Sequence, residues 1–435
     1  MIETPAIMVL EEWKTDFING VELSSQDQKL AAQIGGEKGK VTVEEMKGRI
    51  RVKAYSWVGV IRFSQFEIHI VPKLAGEFLG LVRMLEIVSG IGSLRRNIGE
   101  RNLLVNSKNN LFDLLALLLS EACEAILQKG LLYDYIEVED DLPFLRGRLL
   151  IKQQVRRRAE RVDRLECRYD EHSSNIIENQ LLAAVLIICG RRVTDPIIRR
   201  KIRRQAAIFS SVCSLENVNI ENIRSSIVYS RMNENYEYAH RLAWLIFDSS
   251  GVKDIFLTGK TKSFAFLLDM NQLFELFILR FFEFSLKQTE YLVKYQNQNP
   301  MVIWDYYKQR SYKKIIPDFI IENLNNTLSP MVIDAKYKLY DLKKVSSADI
   351  YQSFLYAYVY GADFQSTNAL IVYPTQSQAD DQKILQLKNL KGSLGANIRI
   401  LGFHIPSALK EIEKNEKGAM SELLINALTN VPHFN

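Results

Sequence analysis

Hydrophobic and polar positions alternate along much of the first hundred residues. The stretch GRIRVKAYSWVGVIRFSQFEIHIVPKL, residues 48–74, is rich in β-branched and aromatic side chains. Apolar residues alternate on both sides of Ser64-Gln65, as in a β-hairpin with one buried face. They are Ile61, Phe63, Phe66, Ile68 and Ile70. The pattern predicts a β-rich N-terminal domain, which we place at residues 1–77.

The spacing of apolar positions becomes helical between about residues 78 and 260. The run LFDLLALLLSEACEAILQKG, residues 111–130, has the length and period of a buried helix. Its last residues, Lys129-Gly130, are typical of a helix end, because glycine readily adopts the backbone conformation that stops a helix. The sequence therefore predicts a mainly helical middle region, residues 78–260.

This middle region also concentrates positive charge. One basic group comprises Arg146, Arg148, Lys152, Arg156, Arg157 and Arg158, and a second comprises Arg191, Arg192, Arg199, Arg200, Lys201, Arg203 and Arg204. Such groups are either solvated helix faces with salt bridges or a surface that neutralises DNA phosphates. Both interpretations stay open at the level of sequence.

From residue 261 the pattern alternates between helix and strand. It predicts a helix at 267–287, strands at 313–321 and 331–338, a helix at 346–361, and strands at 368–374 and 398–405. Alternating elements of this kind indicate a small α/β domain, predicted at residues 261–435. The whole chain is then an α+β multidomain protein.

Composition is typical of a globular protein and does not indicate a particular activity. The chain has 435 residues, 47% of them hydrophobic, and a mild net charge of +5. Its cysteines form no CxxC pair and lie at no zinc-finger spacing from histidine, so buried, reduced thiols are expected. No signal peptide and no membrane-length apolar run is found, which predicts a cytoplasmic protein with no membrane partner.

The turn QIGGEKGKVT, residues 33–42, partly resembles a phosphate-binding loop. However, Val41 follows Gly39-Lys40 where the motif needs a Ser or Thr to bind magnesium, and the first glycine stands one residue too close. We therefore expect that this chain does not hydrolyse nucleotide by itself.

Two carboxylates and a lysine stand at the ends of predicted strands. Asp334 and Lys336 follow the apolar residues of a strand predicted to be buried, and Asp318 ends another strand earlier in the chain. Charged side chains are rarely buried unless they are paired or bind a metal. If the two strands are adjacent, Asp318 and Asp334 lie close together.

Two adjoining carboxylates repel each other, which raises the pKa of one, and a divalent cation removes that repulsion. Oxygen ligands select Mg²⁺ or Mn²⁺, and the carbonyl of Ala335 could complete the site. Lys336 would then orient an attacking water, lower its pKa and stabilise a pentacovalent phosphate. The alternative is a buried Asp–Lys ion pair with a structural role only.

The neighbouring helices add three candidates. Gln352 and Tyr356 are four residues apart, so they share one helix face that could orient Lys336 or touch the DNA backbone. They could equally be polar residues at the edge of the core. Glu275 lies in a helix that is apolar on nearly all sides, and either faces the metal site or reaches solvent at an edge.

The motifs IIPDF, VIDAKYK and DIYQSFLYAY resemble the PD-(D/E)XK nuclease superfamily, in the branch whose following helix carries Q-x-x-x-Y. The segments FEIHIVPKL, QKGLLYDYIEVEDDLPFLRGRL, LECRYDEHSSNIIENQLLAAVL and MNQLFELF are similar to the McrC family. That family provides the nuclease subunits of McrBC-type, modification-dependent restriction systems. The resemblance covers most of the chain and is weakest in its first sixty residues.

This resemblance implies a C-terminal PD-(D/E)XK nuclease domain that cuts double-stranded DNA with Mg²⁺ or Mn²⁺. It implies an N-terminal part that docks on a hexameric, McrB-like AAA+ GTPase and stimulates it. Carried over by motif, Asp318 and Asp334 are metal ligands and Lys336 is the catalytic lysine. Gln352 and Tyr356 are supporting residues, and Glu275 is a candidate further acid.

Two alternative functions stay open. An autonomous, RecB-like nuclease would cut DNA without a motor protein. An assembly subunit would activate a partner NTPase without cutting, although the presence of Asp318, Asp334 and Lys336 argues against a lost active site.

Overall fold

A computed structural model describes most of the chain. The described residues are 6–35, 39–74, 78–88, 111–158, 163–215, 220–249, 263–295, 301–325, 330–338, 340, 344–360, 368–377, 382–388 and 394–429. Within these ranges, twelve helices and several sheets form a mixed fold of the α+β class. None of the described helices combines the length and apolar character that crossing a membrane requires.

The chain divides into two compact units, Met1–Arg101 with Leu267–Asn435, and Asn102–Phe266. The sequence analysis divided the chain into three consecutive regions, 1–77, 78–260 and 261–435. In the structure, the N-terminal strands share a unit with the C-terminal α/β region. A buried contact explains the grouping: Tyr337, beside the predicted catalytic lysine, donates a hydrogen bond to Glu12 at 2.9 Å.

The N-terminal part of the first unit is mainly β-structure. Its elements are β1 (Ala6–Glu11), β2 (Thr15–Asn19), α1 (Ser25–Gly35), β3 (Val41–Met46), β4 (Arg49–Ala54), β5 (Trp57–Arg62), β6 (Phe66–Val71) and α2 (Phe78–Val88). One sheet has the order β2-β4-β3, and another has the order β1-β6-β5-β10, where β10 is Phe264–Asp269. Strands β5 and β6 pair antiparallel around Ser64-Gln65, which confirms the predicted hairpin.

The second unit contains a helical core and a small sheet. Its helices are α3 (Leu111–Lys129), α4 (Ile151–Arg158), α5 (Ile177–Arg192), α6 (Pro196–Val212), α7 (Ile220–Ser226) and α8 (Glu234–Ser249). The buried amide of Asn179 links this core, since it donates to the carbonyl of Leu132 at 2.9 Å and accepts from the hydroxyl of Tyr236 at 2.8 Å. All four cysteines are buried and free, as expected.

The described part of this region is mainly helical, as the sequence predicts, but it also contains a small sheet that the sequence analysis did not predict. Strands β7 (Asp134–Leu142), β8 (Arg148–Leu149) and β9 (Leu165–Ser173) form it in the order β7-β9-β8. In β7, Ile136 and Val138 alternate with acidic residues, but Asp134 and Asp140 stand on the same face and interrupt the apolar pattern. Cross-strand ion pairs also join the strands, between Arg168 and both Glu137 and Glu139.

Several members of the two basic groups contact their own unit. Ion pairs join Arg146 to Glu171, Arg157 to Glu166, and Lys201 to Glu124. Arg203 donates to the carbonyl of Gly190 at 2.8 Å. The salt-bridge interpretation therefore holds for these residues, and a role in DNA binding stays a prediction.

The C-terminal region is built on a six-stranded mixed sheet of order β11-β14-β15-β16-β18-β17. Its strands are β11 (Tyr291–Tyr295), β14 (Phe319–Asn323), β15 (Met331–Ala335), β16 (Asn368–Pro374), β17 (Gln382–Lys388) and β18 (Leu394–Phe403). Its helices are α9 (Met270–Ser285), α10 (Ser347–Tyr360), α11 (Ile405–Lys414) and α12 (Ala419–Thr429). The strand predicted to be last is therefore followed by two helices.

The prediction of a single strand at 313–321 is wrong, because the structure has two strands there. The structure breaks the predicted strand at Pro317, which has no N–H to donate and restricts the residue before it. The first half belongs to β13 (Arg310–Ile315), which pairs with β12 (Met301–Asp305) in a separate two-stranded sheet. The second half is β14, which joins the main sheet.

Candidate active site

Strands β14 and β15 bring the two predicted carboxylates together. The strands are antiparallel neighbours in which Phe319 pairs with Ile333, so the preceding Asp318 lies beside Asp334. The carboxylate of Asp318 accepts a hydrogen bond from the backbone N–H of Ala335 at 2.8 Å. This bond fixes Asp318 at the end of β15, where Asp334 and Lys336 also stand.

Burial makes this pair of carboxylates electrostatically unfavourable. Asp334 is only 1% exposed. Burial, followed by the neighbouring charges of Asp334 and Glu275, raises the pKa of Asp318 to about 7. Burial also raises the pKa of Asp334, against the opposing effect of Lys336. Two carboxylates that share a site in this way repel each other, so a proton or a cation is favoured between them.

Lys336 supplies part of that positive charge. Its Nζ lies 2.8 Å from Oδ1 of Asp334. Burial disfavours its ammonium form, but the carboxylates of Asp334 and Asp318 outweigh this effect and raise the pKa of Lys336. Lys336 is therefore a cation at neutral pH. Its backbone N–H is held by the carbonyl of Val372 at 2.8 Å, which fixes the direction of the side chain.

Helix α10 places Gln352 and Tyr356 behind this lysine. Oε1 of Gln352 accepts from Nζ of Lys336 at 3.4 Å, and its Nε2 donates to the hydroxyl of Tyr356 at 2.7 Å. The helix begins with a capping interaction in which the N–H of Asp349 donates to Oγ of Ser346 at 3.2 Å. The shared face therefore orients Lys336.

Glu275 lies on α9, half-buried near the same centre. The hydroxyl of Tyr295 donates to its carboxylate at 3.3 Å. Burial raises the pKa of Glu275, while Lys336 lowers it and Asp334 raises it. The structure therefore brings Glu275 within electrostatic reach of Lys336 and Asp334.

Other residues at this centre have weaker signals in the sequence. The buried Ser353 lies on α10, and its hydroxyl reaches Oδ2 of Asp334 at 3.5 Å. The carboxylate of Asp349 accepts from Lys338 at 2.6 Å, from Ser346 at 2.5 Å and from the hydroxyl of Tyr340. Helical spacing from Gln352 and Tyr356 could have found the two α10 residues. Nothing local marks Glu12.

The residues present fit a divalent cation held by two side chains. Oδ1 of Asp334 is buried and has no hydrogen-bond donor in suitable geometry, although the Lys336 ammonium is nearby. A hard cation prefers such carboxylate oxygens. In the part of the chain that the structure describes, no three His, Cys, Asp or Glu side chains form a complete metal cluster. A cation here therefore also needs backbone, water or substrate oxygens, as Mg²⁺ sites commonly do.

Comparison with known proteins was made against families, curated proteins and solved structures. A family model described as "McrBC 5-methylcytosine restriction system component" matches residues 52–374. No curated protein matches the chain. One similar structure is the refined half-complex from a tetradecameric assembly of Thermococcus gammatolerans McrB AAA+ hexamers with bound McrC. It is 18% identical, with 94% of this chain and 100% of that chain covered and a TM-score of 0.56.

A second similar structure is the cryo-EM structure of the Thermococcus gammatolerans McrBC complex. It is 22% identical, with 65% of this chain and 88% of that chain covered and a TM-score of 0.46. At this level of identity the first structure supports the fold alone.

Proposed function

Because this chain belongs to the McrBC family of restriction-system components, we propose that it is the McrC-like subunit that cuts DNA in such a system. It would be a Mg²⁺-dependent endonuclease with a PD-(D/E)XK domain, acting on double-stranded DNA. The observation that carries this proposal is the arrangement of Asp318, Asp334 and Lys336. The half-buried Asp318 and the buried Asp334 share one strand end, and a cationic lysine lies 2.8 Å from Asp334.

Asp318, Asp334 and the carbonyl of Ala335 would hold Mg²⁺ or Mn²⁺. When bound, the cation would polarise the scissile phosphate and neutralise the two carboxylates. The raised pKa of Lys336 makes its ammonium a poor general base at neutral pH. We therefore assign Lys336 two roles, to orient the attacking water and to stabilise negative charge on the phosphate oxygens.

Hydrolysis would proceed by attack of water in line with the leaving oxygen. The water oxygen bonds to phosphorus and gives up a proton to solvent, the bond from phosphorus to the leaving oxygen breaks, and the leaving oxygen takes up a proton from solvent. No covalent enzyme intermediate forms. Gln352 would be a positioning residue that holds Lys336 through the 3.4 Å contact, and Tyr356 would hold Gln352. Glu275 would be a further acid near the site, acting at longer range through its electrostatic interaction with Lys336.

The partner would be a hexameric, McrB-like AAA+ GTPase. A solved relative is an assembly of McrB AAA+ hexamers with bound McrC. The absence of a magnesium-binding hydroxyl after Gly39-Lys40 agrees with a division of labour in which another chain hydrolyses nucleotide. The N-terminal part of this chain would dock on that partner and stimulate it.

DNA cleavage by the purified full-length chain with Mg²⁺ tests this proposal. Wild type is compared with Asp334→Ala, with and without the AAA+ protein and GTP, and the exposed Lys344→Ala serves as the surface control. We expect cutting only with the partner, and its loss in Asp334→Ala alone. Cutting by the lone chain would favour an autonomous nuclease. Faster GTP hydrolysis without any cutting would favour an activator subunit.

A further inference from the structure

The hairpin formed by β12 and β13, residues 301–315, stands apart from the main sheet. We call it the arm. It forms a two-stranded sheet of its own. Its turn has a defined structure, since Lys308 N–H donates to Asp305 at 3.0 Å and the Gln309 amide donates to the carbonyl of Tyr306 at 2.6 Å. The arm is therefore a defined surface feature, and no other strand in the described residues pairs with it.

Large aromatic side chains lie exposed along the arm. Tyr306 and Tyr307 at its turn are 76% and 95% exposed, and Trp304 and Tyr312 on its strands are 54% and 73% exposed. Isolated apolar residues on a surface are ordinary, but a contiguous aromatic group more often marks a binding site. Tyrosine and tryptophan suit a partner that offers both flat apolar faces and polar edges.

The charge of the arm selects an acidic partner. Within residues 301–315 there are four basic side chains, Lys308, Arg310, Lys313 and Lys314, and one acidic side chain, Asp305. All four basic residues are exposed. Among the described residues none of them forms an ion pair, in contrast with the basic groups of the second unit. Interleaved aromatic and basic residues are typical of surfaces that bind nucleic acid.

The position of the arm relates it to the candidate active site. Its last residue, Ile315, is buried, and its carbonyl accepts from the hydroxyl of Tyr360 on α10 at 2.8 Å. Only Ile316 and Pro317 separate it from Asp318, so the base of the arm lies within about 10 Å of that carboxylate along the chain. DNA whose phosphate is at Asp318 must therefore pass close to the arm.

We infer that the arm is a duplex-DNA-binding element that holds the substrate beside the cutting site. Lys308, Arg310, Lys313 and Lys314 would contact phosphates that flank the scissile one, and the aromatic side chains would lie against sugars and base edges. A two-stranded β-ribbon has the width that a duplex groove admits. The inference rests on the proposed function, because duplex DNA as the substrate is part of that proposal.

Binding of a fluorescein-labelled duplex to the full-length chain tests this inference, with Ca²⁺ in place of Mg²⁺ to prevent cutting. Lys313→Ala/Lys314→Ala is compared with Lys410→Ala/Lys414→Ala, which removes the same charge from an exposed face of α11. We expect about tenfold weaker binding in the arm variant alone. The slope of log K against log salt should fall by about 2, since each phosphate contact contributes about 0.9.

A second variant separates charge from aromatic contact. Tyr306→Ala/Tyr307→Ala should weaken binding by about tenfold while leaving the salt slope unchanged, because contacts of tyrosine with sugars and base edges release no counterions. If both arm variants bind DNA like the α11 control, the inference is wrong. It is also wrong if they bind DNA normally and instead fail to join the AAA+ partner, because the arm would then be a protein contact.

A cleavage assay with Mg²⁺ distinguishes failure of the arm inference from failure of the proposed nuclease function. If wild type cuts DNA and the arm variants bind normally, the nuclease proposal stands and the arm inference falls. If the arm variants lose DNA binding but wild type cuts under no condition, the arm binds DNA and the nuclease proposal falls. A wild-type chain that binds no duplex at all overturns the arm inference.

Discussion

The hydroxyl of Tyr337 donates a hydrogen bond to the carboxylate of Glu12 at 2.9 Å, across most of the sequence. The backbone N–H of Lys73 donates to the same oxygen at 2.9 Å. Trp13 packs on the ring of Tyr337 with centroids 5.3 Å apart. Since Tyr337 follows Lys336 directly, these contacts tie the N-terminal strands to the strand end that carries the candidate site.

Glu12 should make stability depend on pH. Burial raises the pKa of Glu12 from 4.5 to about 8, against hydrogen bonds from Lys73 and Tyr337. A carboxyl with a raised pKa in the folded state loses stabilisation as pH rises from the unfolded pKa to the folded one. Each unit of that window corresponds to about 1.4 kcal/mol. Glu12→Gln should therefore stabilise the protein, relative to wild type, more at alkaline than at mildly acidic pH.

Thermal unfolding of both proteins across this pH window is the measurement. Glu45→Gln, which removes an exposed carboxylate from β3, is the control for loss of a surface charge. An identical shift for Glu12→Gln at both ends of the window would contradict the prediction.

Asp318→Asn should stabilise the metal-free protein. Burial and the charges of Asp334 and Glu275 raise the pKa of Asp318 from 3.8 to about 7. The cost of ionising it in the fold therefore grows between these values and is complete above about pH 7. The amide removes this cost, so the melting temperature in EDTA should rise above that of wild type, more at pH 8 than at about pH 5.

The same variant should respond less to metal. Adding Mn²⁺ should raise the melting temperature of wild type and should have little effect on Asp318→Asn, because one carboxylate ligand is gone. The exposed Glu416→Gln is the control for a lost surface charge and should respond like wild type. An unchanged response to metal in Asp318→Asn would place the cation elsewhere.

Loss of the lysine charge should abolish cutting. Lys336→Ala should lower the rate of DNA cleavage by on the order of 10²–10⁴-fold, while binding to the partner survives. The control is Lys344→Ala, which removes an exposed lysine a few residues later in the chain. This variant should cut DNA at the wild-type rate. Cleavage by Lys336→Ala at the wild-type rate would overturn the assignment of the site.

Gln352 should act through Lys336. Gln352→Ala should reduce the cleavage rate by about 10–100-fold, the usual effect of a residue that orients a catalytic group. Because the proposed role of Gln352 is to hold Lys336 through their 3.4 Å contact, the KM for DNA should stay near the wild-type value. Single-turnover rates over a range of DNA concentrations separate the two parameters. A raised KM with an unchanged rate would instead indicate that Gln352 touches the DNA backbone.

The centre of the site follows from the sequence because its signals are local. Asp318 and Asp334 stand at the ends of short apolar strands, and adjacency of these strands is enough to bring them together. Helical spacing likewise places Gln352 and Tyr356 on one face. These relations need no knowledge of distant contacts. The metal-binding and catalytic roles of these residues stay predictions.

Features that depend on tertiary packing do not follow from the sequence. Glu12 follows Glu11 in a segment with no motif that marks it as buried. Its burial involves a contact with Tyr337, which is distant in the sequence. The arm is not evident in the sequence because apolar residues stand on both sides of Pro317-Asp318, although the structure divides them between two sheets. The resemblance to the McrC family, by contrast, rests on dispersed motifs, and the family match confirms it.

Asp349 should stabilise the protein at neutral pH and lose that effect in acid. Its carboxylate is 5% exposed and accepts from Lys338, Ser346 and Tyr340. Burial opposes its charge, but these hydrogen bonds outweigh burial and lower the pKa of Asp349 below 3.8. A carboxyl with a lowered pKa contributes stability above its unfolded pKa, and that stability is lost as pH falls through the folded pKa.

Asp349→Asn should therefore lower the free energy of unfolding by about 1–3 kcal/mol at neutral pH, because a buried set of donors loses its charged acceptor. Ser346→Ala should cost about 1 kcal/mol, since it removes the capping hydroxyl of α10. The double variant should cost less than the sum, because both changes break one shared contact. Denaturant unfolding at neutral pH and at about pH 2, below the range in which this carboxylate is charged, measures these differences. A cost for Asp349→Asn that is equal at both pH values would show that the charge of Asp349 contributes nothing to the fold.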